Sequence, residues 1–425
     1  MATNTITAPR GFLAAGVNCG IKKSGRFDLA LLVCPTGATA AAVFTTNRIV
    51  SAAVQVSKEH IKSRKTYAVV VNSGNANACT GQVGIENAKN MCVMTASAIG
   101  RVARNEGRGT KGEGRNVLVA STGIIGKQLP IAKIARGISK AVDTLSASAS
   151  AGLSFAKAIM TTDTRPKQAI RRFTIADCRL PIENRKSKIE NHLVTIAGAV
   201  KGAGMIAPNM ATTLCFITTD VAITKPLLSK ALRYAVSNSL NKLTVDGHQS
   251  TNDTAVILAS GLAGNQPITR QCPRYKKFAR ALTDLCDDLA RQMALDAEGA
   301  TRMFKVVIKG AATKADAAKA ARAVADYPLL KCAIHGSDPN WGRIICAVGS
   351  VGVKLNPERL SCKLGNITVF KNGSPREFNT KKASAIVART EHTIAVDLGA
   401  GSYTDFCYGC DLSTDYVKIN AHYHT

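Results

Sequence analysis

The chain has 425 residues, room for two or three domains or one large composite one. Hydrophobic residues make up 46% and charged residues 20%, which fits a soluble globular protein and excludes a disordered one. A 5% aromatic share with one tryptophan argues against an aromatic-caged binding module, and Lys+Arg exceeds Asp+Glu by 28.

In chain order, DLALLVCP (28–35) and AAAVFTTN (40–47) are expected as two strands, and YAVVVNSGNANACTG (67–81) as a buried strand entering a turn-rich loop. GIENAKNMCVMTASAIGRVA (84–103) has helical spacing, and NVLVASTGIIG (116–126) is a strand entering a glycine loop. IAKIARGISKAVDTL (131–145) and AGLSFAKAIM (151–160) predict helices. Residues 168–191 are polar and basic and suggest a hairpin or excursion, followed by HLVTIAGAVKGAG (192–204). TTLCFITTDVAI (212–223) predicts a strand, KPLLSKALRYAVSNSLNKL (225–243) a helix with proline in its first turn, and AVILASG (255–261) another strand. The segment 272–296 predicts a long amphipathic helix, MFKVVIKG (303–310) a strand and 313–325 a helix. KCAIHG, RIICAVG, NITVFKNG, HTIAVDLG and YVKINAHY are expected as short strands. Alternation of strands and helices predicts a layered α/β architecture.

No apolar run is long enough to span a bilayer, and the first residues carry no basic region followed by an apolar core, so neither a membrane span nor a secretory signal is expected. The thirteen cysteines are odd in number and mostly embedded in apolar runs, which points to a reducing, cytoplasmic setting. The one CxxC, Cys407–Cys410, has no second pair to complete a tetrahedral site and is read as structural, so no metal is expected. The basic residues come in dispersed clumps: KKSGR (22–26), KEHIKSRK (58–65), RNEGRGTKGEGR (104–115) and RPKQAIRR (165–172). None is interleaved with aromatics, so they read as solvated surface rather than a specific nucleic-acid site.

KGAGMIAPNMATTLCFITTD (201–220) sets a glycine-rich loop against a strand that opens on two threonines. Gly202 and Gly204 are too close for a Walker loop, and position 207 is alanine, so the dinucleotide fingerprint fails too. The glycines could serve backbone packing alone. They could also bend a scissile peptide toward Thr212, whose hydroxyl would attack the preceding carbonyl. A threonine freed in that way carries its own base, because an α-amine titrates at about 7.7–8.0.

KGAGMIAPNMAT followed by TLCFITTD resembles the processing site of the ornithine acetyltransferase family of glutamate N-acetyltransferases, whose motif runs KGSGMIAPNMATML. The resemblance extends, in order and spacing, to GFLAAGVNCGIKKSGRFDLALL (11–32), VFTTNRIVSAA (43–53), NSGNANACTG (72–81) and VASTGIIG (119–126). It continues through MTTDTRPK (160–167), STNDT (250–254), DAEGATR (296–302), DPNWGRI (338–344) and CDLSTDYVKINAHYHT (410–425). It implies a layered αββα sandwich of the ornithine acetyltransferase and β-peptidyl aminopeptidase type. It also implies self-cleavage between Ala211 and Thr212, giving an α chain 1–211 and a β chain 212–425 in a heterotetramer of two α and two β chains.

By the same resemblance Thr212 is the nucleophile, and Thr122 and Gly123 match the oxyanion-hole pair. Thr162, Lys201, Thr212, Glu298, Asn420 and Thr425 match substrate-binding positions. The implied reaction moves acetyl from N2-acetylornithine to glutamate through an acetyl-Thr212 ester, with no cofactor. Some members also use acetyl-CoA as donor, and the bifunctional version is expected here. The alternatives are a monofunctional ornithine acetyltransferase and a related N-terminal-nucleophile aminopeptidase, which uses serine at the Thr212 position. The chain departs from the family at Ala203, at Thr213 and at His248–Gln249, where the family more often reads DGDTSTNDT. Asp338 and Trp341 are read as turn and packing residues.

Overall fold

The computed structural model describes residues 5–105, 114–178, 189–207 and 213–422. The expected cleavage pair Ala211–Thr212 and the expected substrate residue Thr425 lie outside them. The chain begins β1 (Leu13–Val17), β2 (Leu29–Phe44), α1 (Ala52–His60), β3 (Thr66–Asn75), α2 (Gly81–Asn105) and β4 (Val117–Ile124). It continues α3 (Ile131–Asp143), α4 (Ala149–Ile159), β5 (Lys167–Cys178), β6 (Ile189–Lys201), β7 (Leu214–Thr219), α5 (Lys225–Ser237), β8 (Thr254–Ala259) and α6 (Pro273–Leu295). The remainder is β9 (Met303–Ala311), α7 (Lys314–Asp326), α8 (Pro328–His335), α9 (Trp341–Gly349), β10 (Ser361–Leu364), β11 (Ile367–Lys371), β12 (Ser374–Pro375), α10 (Thr380–Val387), β13 (Glu391–Asp397), β14 (Tyr403–Cys410) and α11 (Thr414–His422).

One sheet has the order β4-β3-β2-β8-β7-β6-β5, with β1 also on β2. The two strands expected at 28–35 and 40–47 are a single bent strand. The first half of β2 pairs with β1 and β3, and the second, Thr39–Phe44, with β8. The register breaks between Val33 and Ala38, where Gly37 takes φ +73°, so Pro35 and Gly37 mark a bend rather than an end.

That bend brings the same face of both halves together. Val69 and Val71 of β3 and Leu118 and Ala120 of β4 share a buried cluster with Leu214 and Phe216 of β7 and Val256 and Leu258 of β8. Phe155 of α4 joins this cluster and meets Phe216 edge-on, ring centroids 5.5 Å apart. Residues of opposite parity pack outward, because successive strand side chains alternate faces. Val70, Val117 and Val119 meet Met91 of α2 and Ile134 and Ile138 of α3, while Cys215, Ile217 and Ile257 meet Leu228 of α5 and Leu285 and Leu289 of α6. The result is the expected αββα sandwich.

Residues on either side of position 212 belong to this one sheet: β6 pairs antiparallel with β7, Lys201 opposite Leu214. A second, six-stranded sheet runs β12-β11-β10-β13-β9-β14, with α7 and α9 over one face. It is tied to the sandwich by the Tyr408 hydroxyl, which donates to Asp287 Oδ1 of α6 at 3.0 Å.

Three expected strands are helices. KCAIHG lies in α8, which opens on Pro328, and RIICAVG lies in α9, capped by Asn340, whose side chain accepts from Arg343 N. Of YVKINAHY, the described residues 416–422 lie in α11, where Ser413 Oγ accepts from the amides of Asp415 and Tyr416. Short apolar runs carry no period that separates a strand from a packed helix; here Pro328 in the first turn of α8 and side-chain caps on α9 and α11 mark the helices. Residues 168–191 do form the hairpin β5–β6, its tip outside the described residues. Cys407 and Cys410 are buried in β14 and pack into different clusters. Trp341 stacks on Phe370 at 5.2 Å, and Asp338 accepts from the Asn340 side chain, as turn and packing residues do.

Candidate active site

A cavity of about 260 Å³ opens where the ends of β4, β6 and β7 meet the loop before β8 and the start of α11. Its lining includes Thr122, Gly123, Thr162, Lys201, Glu298 and Asn420, every expected site residue among those described. His248, Thr213, Asp246 and Asp253 line it as well.

Thr122 and Gly123 sit at the end of β4, against the last residues of β3 and the turn they enter. Gly123 takes φ +130°, and a Cβ there would stand 2.4 Å from Gly74 C and 2.5 Å from Asn75 N. Only glycine fits so close to the neighbouring backbone. The turn is held by amides: Ser121 Oγ donates to Asn72 Oδ1 at 2.7 Å, and Asn72 Nδ2 to Asn75 O at 2.8 Å. Asn252, from STNDT, donates its Nδ2 to Ala76 O at 2.6 Å and to Ser121 O at 2.8 Å.

Lys201 closes β6. Its Nζ donates to Thr122 Oγ1 at 3.1 Å. An ammonium only donates, so it occupies a lone pair of Thr122 and leaves the hydroxyl hydrogen to point elsewhere. Burial pushes the Lys201 pKa down. Asp163 opposes the shift, Lys167 adds to it, and Asp253 and Glu298 oppose it. Asp253 is 3% exposed with one carboxylate oxygen, Oδ2, that has no hydrogen-bond partner among the described residues. Burial raises its pKa well above the carboxylate range against the pull of Lys201, which favours the neutral acid.

The glycine loop after Lys201 now has a physical reason. A Cβ on Gly204 would fall 2.3 Å from Glu298 Oε2, so the missing side chain makes room for that carboxylate. Glu298 N donates to Ala203 O at 3.0 Å, and Asn420 Nδ2 donates to Glu298 Oε2 at 2.9 Å. Asp246 receives Met205 N at 2.7 Å and Ile206 N at 2.9 Å, and Met205 is held at φ +55°. His248 leans out of the same loop, its side chain 74% exposed and its Nδ1 3.0 Å from Asp246 O. It therefore stands at the cavity's rim.

Beneath the cavity, Lys167 Nζ lies 2.5 Å from Asp163 Oδ1 and 2.5 Å from Asp296 Oδ2, with all three side chains at most 4% exposed. RPKQAIRR read as solvated surface, and for Lys167 that is wrong: it opens β5, facing inward. The sequence reading also missed Asp163, Asp246, Asp253, Asn252 and Asp296. TTDTRPK and DAEGATR contain two of these acids, but nothing in either motif says that they meet.

A model of the ArgJ family matches residues 13–425. The chain is similar to the arginine biosynthesis bifunctional protein ArgJ of Symbiobacterium thermophilum, 43% identical over 422 residues, which covers 99% of this chain and 98% of that protein. It is 40% identical over 427 residues to the protein of the same name from Geobacillus stearothermophilus, 100% of this chain and 97% of that one. Among solved structures, an arginine biosynthesis bifunctional protein ArgJ from Bacillus halodurans is 42% identical with a TM-score of 0.48, covering 49% of this chain and 98% of that chain. The chain belongs to the ArgJ family.

Proposed function

We propose that this protein is a self-cleaving acetyltransferase of arginine biosynthesis, moving acetyl from N2-acetylornithine to L-glutamate. The observation that carries the reading is the convergence of Thr122, Gly123, Thr162, Lys201, Glu298 and Asn420, from distant parts of the sequence, on one cavity. Family membership supports the same reaction.

In the proposed maturation, the Thr212 hydroxyl adds to the Ala211 carbonyl and displaces the Thr212 nitrogen, leaving an ester. Water cleaves that ester, freeing the hydroxyl and amine of Thr212 and the carboxylate of Ala211. In turnover the freed amine takes the hydroxyl proton as the oxygen attacks the acetyl carbonyl. The developing oxyanion meets donors from Thr122 and Gly123. Because Lys201 donates to Thr122 Oγ1, the Thr122 hydroxyl hydrogen is free for that oxyanion and is polarised by the ammonium. Ornithine leaves with the proton on its amine. Glutamate's amine then attacks the acetyl-Thr212 ester, and the threonine oxygen leaves with the returned proton. Glu298, oriented by Asn420, suits the ornithine side-chain ammonium, and Lys201 suits a substrate carboxylate. Thr425 is assigned to the same substrate site.

No cofactor enters this scheme, and acetyl-CoA is proposed as a second donor. Two α chains (1–211) and two β chains (212–425) in the cytoplasm complete the proposal. Intact mass tests it directly. The wild type should yield two fragments that sum to the whole chain plus one water, broken before Thr212, while Thr212→Ala stays uncut. Acetyl transfer from N2-acetylornithine to glutamate should be ping-pong. An uncut folded wild type, sequential kinetics, or amide hydrolysis without acetyl exchange would overturn the reading.

A further inference from the structure

Three charged groups are buried under the cavity, and stability alone does not account for them. Taking ions out of water costs several kcal/mol each, and packed hydrophobic side chains of similar volume often serve as well or better. What distinguishes the Asp163–Lys167–Asp296 group is what else it holds. Asp163 accepts from Thr161 N at 2.9 Å and, through the oxygen that meets Lys167, from Gly202 N at 2.8 Å. Asp296, at the end of α6, accepts from Thr164 N at 3.2 Å and from the Thr164 hydroxyl. Glu298 follows two residues later. The segments so tied are those that carry Thr162, Lys201 and Glu298 into the cavity.

We propose that this triad is a positioning device for the acyl-transfer site, locking three substrate-facing segments together and directing a fixed negative charge, that of Asp163, at Lys201. Its substrate rests on the acetyltransferase reading; its geometry does not. Asp163 is suited to the task because it stays ionised. Burial works against its charge, but Lys167 and Lys201 outweigh burial and hold its pKa at about 2. The groups acting on Lys201 are Asp163, Lys167, Asp253 and Glu298, with Lys22 a further nearby cation. Of the acids, Asp163 acts most strongly against the desolvation of Lys201. Asp296 meets Lys167 rather than Lys201, so it shares the mechanical role without the electrostatic one.

That difference supplies the test. Asp163→Asn keeps an acceptor oxygen for Gly202 N but removes the charge; Asp296→Asn weakens the triad from its far side. Ornithine affinity is measured by calorimetry across pH for the wild type and both variants, with melting curves to confirm folding. Ornithine titrates identically in all three, so differences belong to the protein. Affinity should fall as pH rises and Lys201 loses its proton. In Asp163→Asn that fall should move down by about one pH unit. In Asp296→Asn affinity should weaken at every pH with the midpoint of that fall in place. An unmoved fall in Asp163→Asn, or equal shifts in both variants, would overturn the inference. A wild type that binds no ornithine would instead sink the acetyltransferase reading. The triad would then be tested by the pH dependence of Lys201 acylation with acetic anhydride, read by peptide mass spectrometry, where the same ordering is expected.

Discussion

The two strand ends that face each other across the cavity are held by opposite kinds of chemistry. The β4 end, with Thr122 and Gly123, is clamped by neutral amides: Asn72 and Asn252 exchange hydrogen bonds with backbone carbonyls and with Ser121. The β6 end, with Lys201 and the glycine loop, is clamped by the buried ions Asp163, Lys167 and Asp296. Both serve a backbone that must come close to something: Gly123 to the neighbouring turn, Gly204 to a carboxylate. The amide clamp suits a group whose protonation should not change. The ionic clamp sets a carboxylate against the burial that pushes the Lys201 pKa down, and its cost is sensitivity to pH.

The widest break in this comparison is Lys167→Met. It removes the cation that bridges two buried carboxylates, and should lower stability by about 3–5 kcal/mol at neutral pH. The deficit should shrink in acid as Asp163 takes up a proton. Denaturant melts over pH check this, and a deficit independent of pH would refute the ionic description. The wild type carries the matching signature. The folded Asp163 pKa is depressed from an ordinary 3.8 to about 2, so its contribution is complete above 3.8 and lost as pH falls through about 2. A depression of that size corresponds to about 2 kcal/mol of stability at neutral pH.

Next comes Gly123→Ala. The left-handed φ alone costs on the order of 1–3 kcal/mol, and the Cβ would push β4 off the turn at Gly74–Asn75. With Gly123 in its proposed oxyanion role, its displacement would lower kcat about 10²–10³-fold with little change in substrate KM. Steady-state kinetics that show the reverse split would mean the β4 end binds rather than stabilises charge. The smallest effect is expected from Asn252→Ala, about 1–2 kcal/mol for the carbonyls of Ala76 and Ser121 left without a donor. Its deficit should be flat across the acid range where that of Lys167→Met collapses. A pH-dependent loss there would erase the contrast between the clamps.

Much of this was legible from residues in a row. Alternating parity on 68–71, 117–120, 214–217 and 255–258 set which side chains face the inner and outer layers. KGAGM marked a backbone needing close approach, and STGIIG marked another. The boundaries that failed did so where one local signal had two meanings. Pro35–Gly37 reads as the end of a strand and bends one in space, and RIICAVG is equally apolar as strand or as the helix that Asn340 caps.

What the sequence determined by itself was therefore the layered α/β class, the glycine-bearing loops and the family motifs. These are local properties, set by side-chain periodicity and by conformations open only to glycine. The tertiary structure decided the partners: that Lys167 is buried against Asp296 rather than solvated, that Gly204 makes room for Glu298, and that Asn252 holds the turn beside Gly123. Each of these joins residues roughly 90 to 180 positions apart along the chain, where spacing carries no information. Only closure of the bent sheet brings such residues within hydrogen-bonding distance. Burial then turns ordinary lysines and carboxylates into the charged floor of a cavity.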